Sequence, residues 1–357
     1  MRSCFIENVF TTVFLFIVTA TCTFADGSPA FTVGDREIVA TKAERDSLGL
    51  QWFIDGNLGV LLKASNQVQL YGANGSKPVR VTGSPQNLFQ EIATISIATT
   101  NRDFRYLAGG PVYLDPHSKR IFLFYHAEIH RGSARNFYSV LGLSIQTNQN
   151  GLEFQDLGPI FMANVPDEKA QGTVEICGAP YMIRDGYFYV YARDVMSAGI
   201  PRENNLSVAR AKVAEVVQAG LEGRSAKWTK WYNQAFSEPA VGGKSTPLEK
   251  GNPATRWMDV SYNAALRKYI MVAAANTSPS KVELFVTWSD DGIIWAERRK
   301  LVTENGECFY PSIVGFGEDP RQTEAQFYVY YTFSEKGGWD RWSDAVIARR
   351  KITLTTR

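Results

Sequence analysis

The chain has 357 residues, of which 45% are hydrophobic and 13% aromatic, enough apolar material for a large buried core. Lysine and arginine number 38 against 36 aspartates and glutamates, a formal charge of +2, so the balance favours neither a nucleic acid nor an anionic membrane as partner. Almost no stretch carries helical periodicity. Aromatic and β-branched residues alternate in short runs bounded by turns, which predicts an all-β chain.

At the N-terminus, Val9 to Val18 form an apolar run preceded by Arg2 and followed by Thr23-Phe24-Ala25, the pattern of a secretory signal cleaved before Asp26. The run is too short to remain in a bilayer, so no stable membrane insertion is expected. Residues 1–25 are read as the signal peptide, 26–357 as one domain, and the protein as secreted or periplasmic. Removing the signal leaves only Cys177 and Cys308, which excludes a disulfide-stapled fold and points to two buried thiols.

A phrase of strand, polar turn and second strand then recurs with drifting sequence. The first unit opens near Asp46, with Leu50-Gln51-Trp52-Phe53-Ile54, an Asp55-Gly56-Asn57 segment read as a hairpin turn, and Leu58 to Lys63. The second opens near Arg105: Gly110-Pro111-Val112-Tyr113-Leu114 leads to Arg120-Ile121-Phe122-Leu123-Phe124-Tyr125-His126. The third opens near Glu175, where Ala179-Pro180-Tyr181-Met182-Ile183 leads through Asp185-Gly186 to Tyr187-Phe188-Tyr189-Val190-Tyr191. Ala211 to Gly220 follows as a short amphipathic helix, and Phe236 to Thr255 as a polar surface loop. The fourth and fifth units open near Trp257 and Glu307. A strand-rich period of about 50 to 75 residues predicts the blades of a propeller, here a five-bladed β-propeller. In the fourth unit Ser289-Asp290-Asp291-Gly292-Ile293-Ile294-Trp295 makes a tight turn that returns Trp295 to the core, a structural device.

Five such units, aromatic second strands and the Ser-x-Asp-Gly-x-x-Trp turn together resemble the five-bladed propeller glycoside hydrolases, the superfamily of arabinanases, β-xylosidases, invertases and levansucrases. The resemblance covers roughly Asp46 to Leu354. It implies a funnel on one face, lined by the starts of the innermost strands and the ends of the second strands. It also implies three carboxylates from the first three blades acting as base, orienting group and acid. Asp46, Asp103 and Glu175 precede the first three inner strands and are the catalytic candidates, carboxyl groups being what glycoside hydrolysis requires. The sequence departs from the arabinanase-like pattern at the acid: the place two residues before Pro180 is Gly178, and Glu175 lies three residues earlier. Phe104 likewise replaces the proline of the invertases' Arg-Asp-Pro.

Tyr125-His126-Ala127-Glu128-Ile129-His130 contains two of the chain's three histidines. On a strand of period two, His126, Glu128 and His130 point the same way, and adjacent imidazole and carboxylate can share a proton or a metal. The remaining ligands of a closed site cannot be located, so no metal site and no cofactor is expected, with a metal ion at the funnel as the minor alternative. The equivalent strand of the third unit ends in Arg193-Asp194, again polar where the funnel rim is expected. Trp257 suits a platform for a sugar ring and Asp259 a partner for its hydroxyls; Arg105 and Glu307, opening their units, complete the expected substrate-binding set. No nucleophile elbow, phosphate-binding glycine loop or dinucleotide fingerprint appears. The expectation is therefore a secreted protein that takes poly- or oligosaccharide in an axial funnel, a glycoside hydrolase, with a non-catalytic lectin-like or surface-assembly propeller as the alternative. The sugar and the oligomeric state are not readable.

Overall fold

The computed structural model describes residues 29–63, 67–133, 136–170, 172–176, 178–194, 206–248, 255–278, 281–336 and 344–355. The expected signal peptide and Cys177 lie outside them. The described residues form five sheets, antiparallel apart from a short edge strand paired in parallel in each of blades 2 and 4, the blades of a propeller. Blade 1 runs Gly59–Lys63, Gln67–Asn74, Lys77–Gly83 and Glu91–Thr94. Blade 2 runs Phe104–Leu114, Ile121–Ser133, Asn136–Gln146 and Glu153–Phe161, with Ser96–Ala98 added in parallel on its outer edge. Blade 3 runs Tyr181–Arg184, Tyr187–Arg193, Leu206–Lys212, Thr229–Tyr232 and Ala235–Pro239. Blade 4 runs Thr255–Asn263, Lys268–Ser278, Lys281–Ser289 and Arg299–Val302. Blade 5 takes Glu307–Gly315, Gln326–Ser334 and Val346–Thr355 from the end of the chain, and Ala30–Val33 and Glu37–Ala40 from its beginning. The ring is thus closed by strands from both ends of the chain.

The apolar runs follow from this arrangement. A blade is covered on both faces by its neighbours, so its middle strands bury consecutive residues: Ile121, Phe122, Leu123, Phe124 and Tyr125 are all buried. The core is accordingly divided into five wedges, one between each pair of adjacent blades. Between blades 2 and 3, Phe124 stacks on Tyr181 at 4.7 Å and meets Phe188 edge-on. Between blades 3 and 4, the Tyr191 hydroxyl donates to the Gly292 carbonyl while Trp295 packs against the Tyr191 ring. Asp291 Oδ1 accepts from the Ile293 and Ile294 amides, so the Ser289–Trp295 turn is the structural device expected of it. The helix forms at Val213–Leu221 with Val216 and Ala219 inward, while part of the expected polar loop is the edge strand Ala235–Pro239.

The first unit differs from its reading. Leu50 to Asn57 contains no strand, and Asp55-Gly56 is not a hairpin turn; it leads into the innermost strand. The cause is Arg45, whose fully buried guanidinium takes the carbonyls of Leu50, Gln51, Phe53 and Ala345, acceptors that a strand partner would otherwise use. Asp185-Gly186, by contrast, has both residues at positive φ and makes the expected two-residue hairpin.

At the axis the chain crosses to every other blade within three residues. The Asn57 side-chain Nδ2 donates to the Met258 and Pro311 carbonyls of blades 4 and 5 at 2.8 and 3.1 Å, and the Leu58 backbone amide donates to Ser312 Oγ. Gly59 lies against blade 2 so closely that a Cβ would fall 2.6 Å from the Gly110 carbonyl. On the blade 3 side, a Cβ at Gly178 would fall 2.1 Å from Asn57 Oδ1.

Candidate functional site

Three side chains of blade 2 face one place. On Ile121–Ser133, His126 and Glu128 are two residues apart and share a side of the strand; Tyr106, on the inner strand, is the direct cross-strand partner of Glu128. The Tyr106 ring stands edge-on to the His126 imidazole at 5.9 Å. His126 Nε2 lies 3.2 Å from Glu128 Oε1, and His130 Nε2 lies 2.6 Å from Glu128 Oε2, so one carboxylate is held between two imidazoles. Burial alone would raise the Glu128 carboxyl, but the hydrogen bonds and charge of the two histidines outweigh it and hold it below its ordinary value.

Glu175 is brought there by an extended segment. The Val174 carbonyl accepts from both the amide and the hydroxyl of Ser139, the Ile176 amide donates back to Ser139 Oγ, and Ser139 is the cross-strand partner of Glu128. Arg131 fastens the approach by donating to Asp167 and to the Ala170 and Gly172 carbonyls. The result sets Glu175 Oε1 4.0 Å from His126 Nδ1, the opposite side of the imidazole from Glu128. Glu175 is the more open of the two, its side chain 33% exposed against 12% for Glu128. Among the described residues, His126, Glu128 and Glu175 are also the set whose donor atoms all lie within 4.8 Å of one another, a separation at which a cation can be shared.

Blade 1 contributes Asp55. Its Oδ2 accepts from the Tyr106 hydroxyl at 2.6 Å, and the side chain of Tyr310 in blade 5 gives a second hydrogen bond. Crowding by protein pushes the Asp55 carboxyl up to about 6, against the opposing pull of the two tyrosines, although the residue keeps some solvent contact. The Tyr106 hydroxyl is pushed well above its ordinary range by burial and by the nearby charges of Asp55, Glu128 and Glu175. Tyr310 itself sits at φ 50°, a left-handed conformation costly for an aromatic residue, and its ring packs on Trp257 at 4.8 Å.

Of the residues expected from the sequence, the structure brings together Glu175, His126 and Glu128. Arg193 is half-buried at the end of its strand, its amide donating to the Ile176 carbonyl beside Glu175. The others stand elsewhere. Asp46 is on the surface helix Lys42–Ser47, paired with Lys42 one turn back. Asp103 is exposed in a turn, its amide donating to Asn101, and Arg105 is exposed on the strand, alternating with the inward Tyr106. Asp194 corrects the expectation of a rim residue: it is 1% exposed, receiving hydrogen bonds from Lys230 Nζ at 2.6 Å and Ser245 Oγ at 2.7 Å. Asp259 is fully buried in a two-pronged ion pair with Arg321 at 2.9 and 3.0 Å, which fastens blade 4 to the Tyr181 carbonyl of blade 3. Trp257 is 4% exposed, too buried to offer a face to a sugar; it supports Tyr310 instead. Glu307 is buried at the head of its strand, opposite Ser334.

Asp55, Tyr106 and Tyr310 are not among the site residues expected from the sequence, where Asp55 reads as part of a turn. The signal for Asp55 was present: Leu58 to Leu62 is an unbroken apolar run, the mark of an innermost strand, and Asp55 is the carboxylate just before it.

The fold is that of the five-bladed propeller glycoside hydrolases. The chain is similar to the catalytic domain of a GH62 α-L-arabinofuranosidase from Coprinopsis cinerea, with a TM-score of 0.54 and 10% identity over 85% of this chain and 92% of that one. It is similar to a putative exo-β-1,3-galactanase from Bifidobacterium bifidum, with a TM-score of 0.53 and 11% identity over 85% and 91%. A third is the α-L-arabinofuranosidase from Podospora anserina in complex with cellotriose, with a TM-score of 0.52 and 10% identity over 85% and 92%. Neither a protein-family model nor a curated protein sequence matches the chain.

Proposed function

We propose that this protein is an exported glycoside hydrolase acting on poly- or oligosaccharide in an axial funnel, with Asp55 as the proton donor and the Glu128–His126–Glu175 cluster as the proton acceptor. The carrying observation is the convergence of one carboxylate from each of the first two blades, Asp55 and Glu128, with Glu175 at the head of the third, around Tyr106 and His126. Two carboxyl groups whose surroundings drive their protonation apart are what acid and base roles require. Asp55, titrating near 6, carries a proton in mildly acidic solution; Glu128 stays ionised between its imidazoles. In the reaction Asp55 protonates the glycosidic oxygen as its bond to the anomeric carbon breaks. Water forms the new bond to that carbon and gives its proton to Glu175, while Asp55 is left ionised and His126, held by Glu128, orients Glu175.

A second reading has one specific observation behind it. The position that the resemblance assigns to the acid is Gly178, and the Asn57 carboxamide stands where its side chain would go. A propeller that lost its acid and kept its glycan site would be a lectin-like binder. The deciding experiment is cleavage of aryl glycosides and plant, algal and microbial oligosaccharides by wild type, Asp55→Asn, Glu175→Gln, Asp46→Asn and Asp103→Asn. Proton transfer is worth about 10²- to 10⁴-fold, so the first two variants should lose that much while the last two keep wild-type rates. An Asp55→Asn variant as active as wild type removes the proposed acid, and glycan binding without any cleavage establishes the lectin-like reading.

A further inference from the structure

The strand Ile121–Ser133 alone offers an imidazole and a carboxylate two residues apart; the missing third ligand arrives from the segment before blade 3, 47 residues after Glu128 in sequence. One donor atom each from His126, Glu128 and Glu175 lies within 4.8 Å of the other two. Ligands about 2.1 Å from a common ion stand about 3 to 4 Å apart, so the set needs only a small contraction to close on one. The supporting contacts have the form metal sites use: His130 Nε2, 2.6 Å from Glu128 Oε2, orients that carboxylate and leaves Oε1 to the cluster. On the far side of Tyr106 stands a further carboxylate, Asp55, so a cation here would offset a concentration of negative charge.

We propose that His126, Glu128 and Glu175 bind one divalent transition-metal ion, of the Zn²⁺ or Mn²⁺ class, with water completing its shell on the side facing Asp55. One imidazole and two carboxylates suit that class; Ca²⁺ asks for six to eight oxygens, more than these side chains supply. The proposal deepens the hydrolytic reading and rests on it for its role, since the ion would lower the pKa of the attacking water while Glu175, ligating through one carboxylate oxygen, would keep the other for the water's proton.

The test is direct binding, independent of turnover. Tag-free protein stripped with chelator and dialysed is titrated with Zn²⁺ by calorimetry and with Mn²⁺ by electron paramagnetic resonance, together with Glu175→Gln, Glu128→Gln, His126→Gln and the surface control His117→Gln. The expected result is one equivalent bound by wild type and by His117→Gln. Each ligand substitution should weaken binding at least about 10-fold, in line with what even supporting groups contribute to metal affinity. Glu175→Gln, the most exposed of the three, keeps the test available if a buried variant fails to fold. Absence of binding at millimolar metal, or equal binding by Glu175→Gln and wild type, overturns the site. Cleavage by chelated protein that binds no metal overturns the site and leaves glycoside hydrolysis standing. A bound ion without cleavage of any glycan upholds the site and removes the hydrolytic reading.

Discussion

Asp55 is a carboxyl group that the fold holds near neutrality of charge, and this has a measurable consequence for stability. Its folded pKa, about 6, lies above its value in the unfolded chain, so its contribution to stability is complete below about pH 4 and is lost as pH rises through 6. At about 1.4 kcal/mol per pH unit between the two titrations, the loss amounts to about 3 kcal/mol at most. Asp55→Asn keeps the shape and does not titrate, so its stability should lack this decline: relative to wild type it should gain between pH 4 and pH 8. Urea unfolding at pH 4, 6 and 8 measures the difference, and parallel curves for the two proteins would exclude a raised Asp55. Tyr310 acts in the opposite sense, its hydrogen bond favouring the ionised carboxylate. Tyr310→Phe should therefore raise the Asp55 pKa further and move the alkaline limb of the pH–rate profile upward, with folding preserved by the Trp257 contact that the phenyl ring retains.

At the scale of elements, neighbours in sequence have unlike roles. Asp46 makes an exposed ion pair with Lys42, and Asp46→Ala should cost no more than about 0.5 kcal/mol. Arg45, one residue earlier, is the support of the irregular segment that delivers Asp55. Arg45→Met leaves the Gln51, Phe53 and Ala345 carbonyls without the guanidinium, the Leu50 carbonyl keeping the Phe53 amide, and unsatisfied buried groups cost about 1 to 3 kcal/mol each. A loss of about 3 to 5 kcal/mol in urea denaturation is expected, together with loss of activity in whatever remains folded, because Asp55 is no longer held. A stable, active Arg45→Met protein would show that the segment is held by its apolar packing alone.

For the whole molecule, closure of the ring depends on the first described strand. Ala30–Val33 pairs along Ile352–Thr355, and Phe31 is buried in the wedge between blades 4 and 5. Removing residues 29–40 exposes that wedge and an unpaired strand edge. Burial of one phenylalanine contributes about 1.5 to 3 kcal/mol and each ladder hydrogen bond about 1, so a cost above about 5 kcal/mol is expected, with association through the open edge. Equilibrium unfolding and sedimentation of the truncated protein beside the full chain would check this; unchanged stability and sedimentation would mean that four blades and part of a fifth are self-sufficient.

Much of this was legible in the chain. Short alternating strands, hairpin turns such as Asp185-Gly186 and a repeated unit are local properties, so five blades and their order could be read before any contact was known. His126 and Glu128 were legible for the same reason, since a strand of period two sets residues i and i+2 on one side. Glu175 was found through its place before the third inner strand. What remained hidden depends on separations of tens to hundreds of residues. Asp259 and Asp194 read as site residues because sequence shows a charge without its partner; Arg321 and Lys230 turn both into buried fastenings. Asp55 read as a turn because a carboxylate beside a glycine favours hairpins, and only the buried guanidinium of Arg45 and the hydroxyls of Tyr106 and Tyr310 give it another place. The local chain determines which strands form, whereas the charge state and surroundings of a carboxylate are set by groups that only the closed ring brings near it.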